Sequence, residues 1–237
     1  MIITSNVSKQ FGKFKALDDV SLTCQKGECI ALIGANGSGK TTLIKSILGM
    51  VVCDKGFITF NGKNIRHDWL YRNNIGYMPQ IGRYPDNMTI GQVLHMMKDI
   101  RKADDPSCDE ELIKRFELKQ ILHKRMRTLS GGTRQKVSAA LAFLFKPEVL
   151  ILDEPTAGLD PLASEILKEK IIAQKKEGKL IIITSHILSE LDGLVTQVIY
   201  MHEGKIQFHK KLEELQSDTG EQKLSKAIAS VMLKTGK

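Results

Sequence analysis

Three short stretches carry residues whose types and spacing could do chemistry together. The first is Gly34-x-x-x-x-Gly39-Lys40-Thr41, within Gly34-Ala35-Asn36-Gly37-Ser38-Gly39-Lys40-Thr41-Thr42. Glycines at 34, 37 and 39 let a backbone turn bring its N–H groups against phosphate oxygens, and this is the Walker A spacing. Lys40 would then reach outer phosphates and the Thr41 hydroxyl would ligate Mg²⁺. The second is Asp153-Glu154, two acids ending an apolar run. Paired carboxylates there are unfavourable unless a cation neutralises them, and Mg²⁺ on a bound triphosphate supplies that charge. Asp153 is assigned to the metal's water shell and Glu154 to polarising an attacking water. The third is His186, at the tip of the run Leu180 to Ser185, placed to touch a terminal phosphate if that run lies parallel to the Asp153 strand.

The surrounding pattern supplies elements that could position these groups. Ile30 to Ile33 reads as a strand feeding the glycine-rich turn, and Leu43 to Leu48 as a helix stopped by Gly49. Phosphate would sit at that helix's amino end, where unpaired N–H groups and the dipole favour anions. Residues Ile2 to Thr23 read as strand, turn, strand, with Phe11 the candidate platform for a nucleotide base. Lys55 to Lys63 reads as a strand entering an Asn-Gly turn, which adds an antiparallel portion. Ile75 to Met78 is a strand stopped by Pro79, so that Gln80 falls where a crevice opens in a parallel sheet. Residues 87–127 turn helical, with Ile90, Val93, Leu94 and Met97 on one face and Leu112, Ile113, Phe116 and Leu118 on another after a break at Asp105-Pro106. Ser130 is an N-cap, and Gly131-Gly132 leave the following helix start open to an anion. A helix from Leu162 to Lys176, a strand pair from Gln197 to Phe208 and a helical tail from about Lys210 complete the chain.

Bulk properties narrow the class. At 237 residues the chain can bury one sizeable core, alone or with a smaller subdomain. No apolar run approaches the roughly 18 residues that span a bilayer, and the amino terminus lacks a basic start and apolar stretch. A cytoplasmic location is expected. The net charge of +8 permits a nucleic-acid or acidic membrane partner. Yet the most charged region, Lys98 to Arg127, interleaves both signs and reads as a solvated helical face. Cys24, Cys29, Cys53 and Cys108 show no C-x-x-C pair, and are read as small, reduced apolar residues.

Taken together, these residues resemble the ATP-binding subunit of ABC transporters along nearly the whole chain. Gly34 to Thr41 matches Walker A, Gln80 the Q-loop, Leu129 to Thr133 the signature, Val149 to Glu154 Walker B, Ala157 to Asp160 the D-loop, and His186 the switch histidine. The resemblance implies an α/β fold: a P-loop NTPase (RecA-like) core with an antiparallel β subdomain and an inserted helical subdomain over about 87–145, in one ABC ATP-binding domain. It implies ATP and Mg²⁺ as cofactors. Phe11, Ala16, Asn36, Gly37, Ser38, Gly39, Lys40, Thr41 and Thr42 of one copy, with Ser130, Gly131 and Gly132 of a second, would bind the nucleotide between them. Thr41, Gln80 and Asp153 would hold the metal, while Glu154, His186 and Gln80 would serve hydrolysis. One residue departs from the pattern: Thr133 stands where the signature commonly has Gln.

The resemblance also implies partners. The ATPase would power a separate integral membrane permease, received around Gln80 to Asn87, and so sit peripherally on the inner face of the cell membrane. The runs Leu129 to Lys136, Ala157 to Pro161 and Ser185 to Leu191 look like the ATPases of nitrous-oxide-reductase maturation, a copper-site assembly system with a permease and a periplasmic accessory protein. The alternatives are another cargo, or an ABC protein acting on nucleic acid or ribosomes. The latter kind generally carries two cassettes or a long coiled coil, so no nucleic-acid partner is expected.

Overall fold

The computed structural model describes residues 1–102 and 107–235. The break expected at Asp105-Pro106 lies outside the described residues. Two sheets organise the chain. The first is antiparallel, ordered β2-β1-β4-β5, from β1 (Ile2–Phe11), β2 (Phe14–Cys24), β4 (Lys55–Phe60) and β5 (Lys63–Asn64). The second contains β3 (Cys29–Ile33), β6 (Ile75–Met78), β7 (Val149–Asp153), β8 (Leu180–Thr184), β9 (Gln197–His202) and β10 (Lys205–Lys211). Its order is β10-β9-β3-β8-β7-β6, parallel from β9 to β6, with β10 antiparallel at the edge.

The parallel strands are apolar throughout because both faces are covered. Alternate side chains of β3 enter different cores: Ile30 and Leu32 pack with Leu43, Ile44 and Ile47 of α1 (Lys40–Ile47) and with the antiparallel sheet. Cys29, Ala31 and Ile33 face a second core built with the helices. The helices on that side include α2 (Ile90–Arg101), α3 (Glu111–Arg115), α4 (Gly131–Phe143) and α5 (Pro161–Lys176). After β10 come α6 (Leu212–Thr219) and α7 (Leu224–Thr235).

Boundaries moved where backbone bonds outvoted pattern. The helix expected from about residue 87 starts at Ile90, because Thr89 and Gln92 form a reciprocal capping box that fixes the first turn. Lys210 and Lys211 belong to β10, held by pairing with Val198 and Gln197, and the helical tail begins only at Leu212.

Strand direction is what assembles the site. In a parallel sheet every carboxyl end lies on one edge. The order β3-β8-β7-β6 therefore sets the glycine-rich turn, His186, Asp153-Glu154 and Gln80 side by side.

Candidate functional site

A cleft of about 560 Å³ opens at that edge, walled by Phe14, residues 36–42, Gln80, Asp153, Glu154 and His186. The glycine-rich loop is tightly wound into it. Gly39 has φ +105°, and a Cβ there would lie 2.5 Å from the Ala16 carbonyl oxygen, so only glycine fits. Lys40, the first residue of α1, folds its Nζ back to donate to the carbonyls of Gly34 (2.6 Å) and Ala35 (3.0 Å). Burial lowers the Lys40 pKa below the usual lysine value, opposed by the nearby charges of Glu154 and Asp153.

The acids lie across the cleft and are nearly enclosed, Asp153 at 7% exposure and Glu154 at 8%. Glu154 takes a left-handed backbone, φ 52°, just past the end of β7. Its N–H donates to Thr184 Oγ1 (3.0 Å), and its carboxylate accepts the His186 main-chain N–H through Oε2 (3.2 Å). His186 Nε2 stands 3.2 Å from Glu154 Oε1. Thr184 Oγ1 donates to Asp153 Oδ1 at 2.5 Å.

The donor set suits a magnesium-bound polyphosphate. Thr41, Gln80 and Asp153 offer hard oxygens, as Mg²⁺ prefers, around one volume. Ser38 Oγ, on a residue 3% exposed in the loop, has no hydrogen-bond partner among the described residues, which suits an oxygen-rich ligand.

The ABC transporter family model matches residues 17–157, more than half of the sequence. This chain belongs to that family. The ABC transporter ATP-binding protein YhaQ of Bacillus subtilis is 33% identical over 228 residues, covering 95% of this chain and 76% of YhaQ. Among solved structures, an ATP-binding subunit of an ABC transporter aligns with TM-score 0.91 and 28% identity, over 98% of this chain and 99% of that one. The ATP-binding cassette MJ0796, solved as a dimer in a post-hydrolysis state with ADP and Pi, shares the fold at TM-score 0.80 and 23% identity, over 90% and 99% of the two chains. The expected mixed α/β architecture, with its antiparallel sheet and helices, is that of these cassettes. The chain is thus an ATP-binding subunit of ABC type and an ATPase.

Within this ABC cassette two expected contacts fall elsewhere. Phe11 is half exposed and does not line the cleft; Lys9 Nζ sits 5.4 Å over its ring, and Phe14, its cross-strand partner at the hairpin tip, forms the wall. The two rings lie on one face of a two-residue turn, so spacing alone could not choose between them. Ala16 is buried beneath the loop, with its carbonyl against Gly39, rather than in the cleft.

The signature residues are set apart from this cleft, at the start of α4. Ser130 caps the helix by accepting the Thr133 N–H (3.2 Å), and its Oγ lies 2.9 Å from Thr133 Oγ1, so the departing residue engages the cap itself. A Cβ on Gly132 would meet the Gly158 carbonyl oxygen at 2.7 Å. Lys136 Nζ pairs with Asp160 Oδ2 at 2.6 Å, and Gln135 Nε2 reaches the Glu154 carbonyl at 3.5 Å. The first turns of α4 thereby lie against the segment between β7 and α5 at Glu154, Gly158 and Asp160. The sequence reading missed Thr184, whose only signal was a hydroxyl after four apolar residues in a strand.

Proposed function

We propose that the chain hydrolyses ATP in a site shared by two head-to-tail copies and powers a separate membrane permease. One observation carries this reading. Lys40, Thr41, Gln80, Asp153, Glu154 and His186 converge on one cleft, while the second anion-ready helix start, at Ser130 to Gly132, lies outside that cleft's walls. A second copy supplies the missing wall, and the dimeric MJ0796 cassette with ADP and Pi supports that arrangement.

The roles follow from chemistry and place. Lys40 and the open amides at the start of α1 bind the outer phosphates. Thr41, Asp153 and Gln80 hold Mg²⁺, and Phe14 with the hairpin tip covers the base. Glu154 accepts a proton from water, and His186 keeps that carboxylate aimed. Bound Mg·ATP supplies the phosphoanhydride and the divalent charge that its cleavage requires.

A second groove, of about 760 Å³, runs from Gln80, Ile81 and Tyr84 to Met97 and Arg101 of α2 and Phe145 beyond α4. It receives the permease's cytoplasmic helix, so that Gln80 belongs to both the ATP cleft and the docking groove. Among the described residues no helix is long and apolar enough to cross a membrane. The finer reading is copper-site assembly of nitrous oxide reductase, with a periplasmic accessory protein beyond the permease. It rests on the runs Leu129 to Lys136, Ala157 to Pro161 and Ser185 to Leu191; YhaQ's name carries no cargo.

The test is E154Q with Mg·ATP. Turnover should fall by about 10² to 10⁴-fold with ATP binding retained, and light scattering should give the mass of two copies. Unchanged turnover, or a monomer at saturating nucleotide even with the permease supplied, rules the proposal out. A pull-down of the native assembly that brings a multi-spanning subunit without copper-reductase components would leave the transporter reading and remove the copper one.

A further inference from the structure

We infer that Thr184 is the positioning residue that sets both acids of the Asp153-Glu154 pair, an inference that rests on the ATPase reading above. Thr184 ends β8, after Leu180 and three isoleucines, and is 1% exposed. A buried strand position among such neighbours would pack a valine as readily, and valine fits a strand better. What valine lacks is the hydroxyl, and here the hydroxyl is used twice.

Thr184 lies directly opposite Asp153 in the parallel register of β7 and β8. Its Oγ1–H donates to Asp153 Oδ1 at 2.5 Å, and the same oxygen accepts the Glu154 N–H at 3.0 Å. The Thr184 carbonyl takes that N–H as well, at 3.2 Å. One side chain therefore fixes the rotation of the Asp153 carboxylate, leaving its second oxygen for the cleft shared with Thr41 and Gln80. It also anchors the main chain where Glu154 enters its left-handed turn, a conformation a non-glycine residue holds only when its surroundings impose it. Two residues on, the His186 N–H holds the far end of the same glutamate. Thr184, the last residue of β8, and His186, in the bend just after it, thus hold the two ends of Glu154: its main-chain N–H and its carboxylate.

The experiment compares T184V, which removes the hydroxyl at similar volume, with T184S, which keeps it. In T184V we expect kcat to fall by about 10 to 10²-fold, with any rise in KM for Mg·ATP no larger than the loss of Mg²⁺-dependent affinity, as for misplacement of reacting groups. The affinity gain that Mg²⁺ confers on a fluorescent ATP analogue should shrink, while affinity in EDTA stays put. T184S should restore turnover to within about threefold. If T184V fails to fold by circular dichroism, T184A takes its place in the comparison. A folded T184V with wild-type turnover and an undiminished Mg²⁺ gain would overturn the inference, and so would a folded T184S as impaired as T184V. Absence of hydrolysis by the wild-type chain would instead sink the ATPase reading itself.

Discussion

His186 holds the Glu154 carboxylate twice, by its main-chain N–H at Oε2 and by Nε2 beside Oε1, each at 3.2 Å. The two grips are separable, because a substitution removes the ring and leaves the main chain. H186A should keep ATP binding and lose turnover by about 10² to 10³-fold, since the carboxylate remains anchored at one oxygen and loses the ring that aims it. Steady-state hydrolysis beside an equilibrium titration of nucleotide checks this; equal loss in both would assign His186 to binding.

Lys40 makes the next case testable by pH. Burial holds its pKa below the usual 10.5, against the pull of Glu154 and Asp153. The folded protein thus gives up this proton more readily than an exposed lysine, and a bound polyanion should return it. Nucleotide affinity should fall as pH rises toward 10.5, and calorimetry in two buffers should show proton uptake on binding there. K40A should abolish the uptake and weaken affinity by about 10-fold or more at neutral pH.

The hairpin rings give a direct comparison. Phe14 walls the cleft and Phe11 carries Lys9. F14A should reduce affinity for the fluorescent ATP analogue by about 2 to 10-fold, the worth of one aromatic stack. F11A should change it less. The reverse order would return the base platform to Phe11.

Gly132 tests the tie between the signature and the segment after Glu154. The added Cβ of G132A would sit 2.7 Å from the Gly158 carbonyl, and main chain on both sides leaves little room to yield. Turnover should drop by about 10-fold or more, while the isolated chain binds nucleotide normally through its own loop. Wild-type turnover in G132A would show that the contact relaxes freely.

Much of this molecule is local in origin. The loop from Gly34 to Thr42 is fixed by glycines whose dihedrals no other residue adopts comfortably, and a strand before it with a helix after it follow from runs a few residues long. The caps at Ser130 and Asp160 are equally near-neighbour matters, each an oxygen accepting an N–H three residues on. For such features the interacting groups lie within one or two turns of chain, so residue type and spacing decide them. The order β3-β8-β7-β6 is different, because it depends on which apolar strands pair across separations that run from 31 residues (Val149 with Leu180) through 74 (Ile75 with Val149) to 152 (Cys29 with Ile181), and all of them read alike. The alternation of Ile30 and Leu32 with Cys29, Ala31 and Ile33 is local to β3, but which core each face meets is set by the elements packed on the two sides of the sheet. The strand order also settles that Thr184, 30 residues from Glu154, reaches that residue's N–H. Sequence alone supplied the groups that can do the chemistry; only the pairing of distant strands decided which of them meet, since hydrogen-bond register is a property of two strands and not of either one.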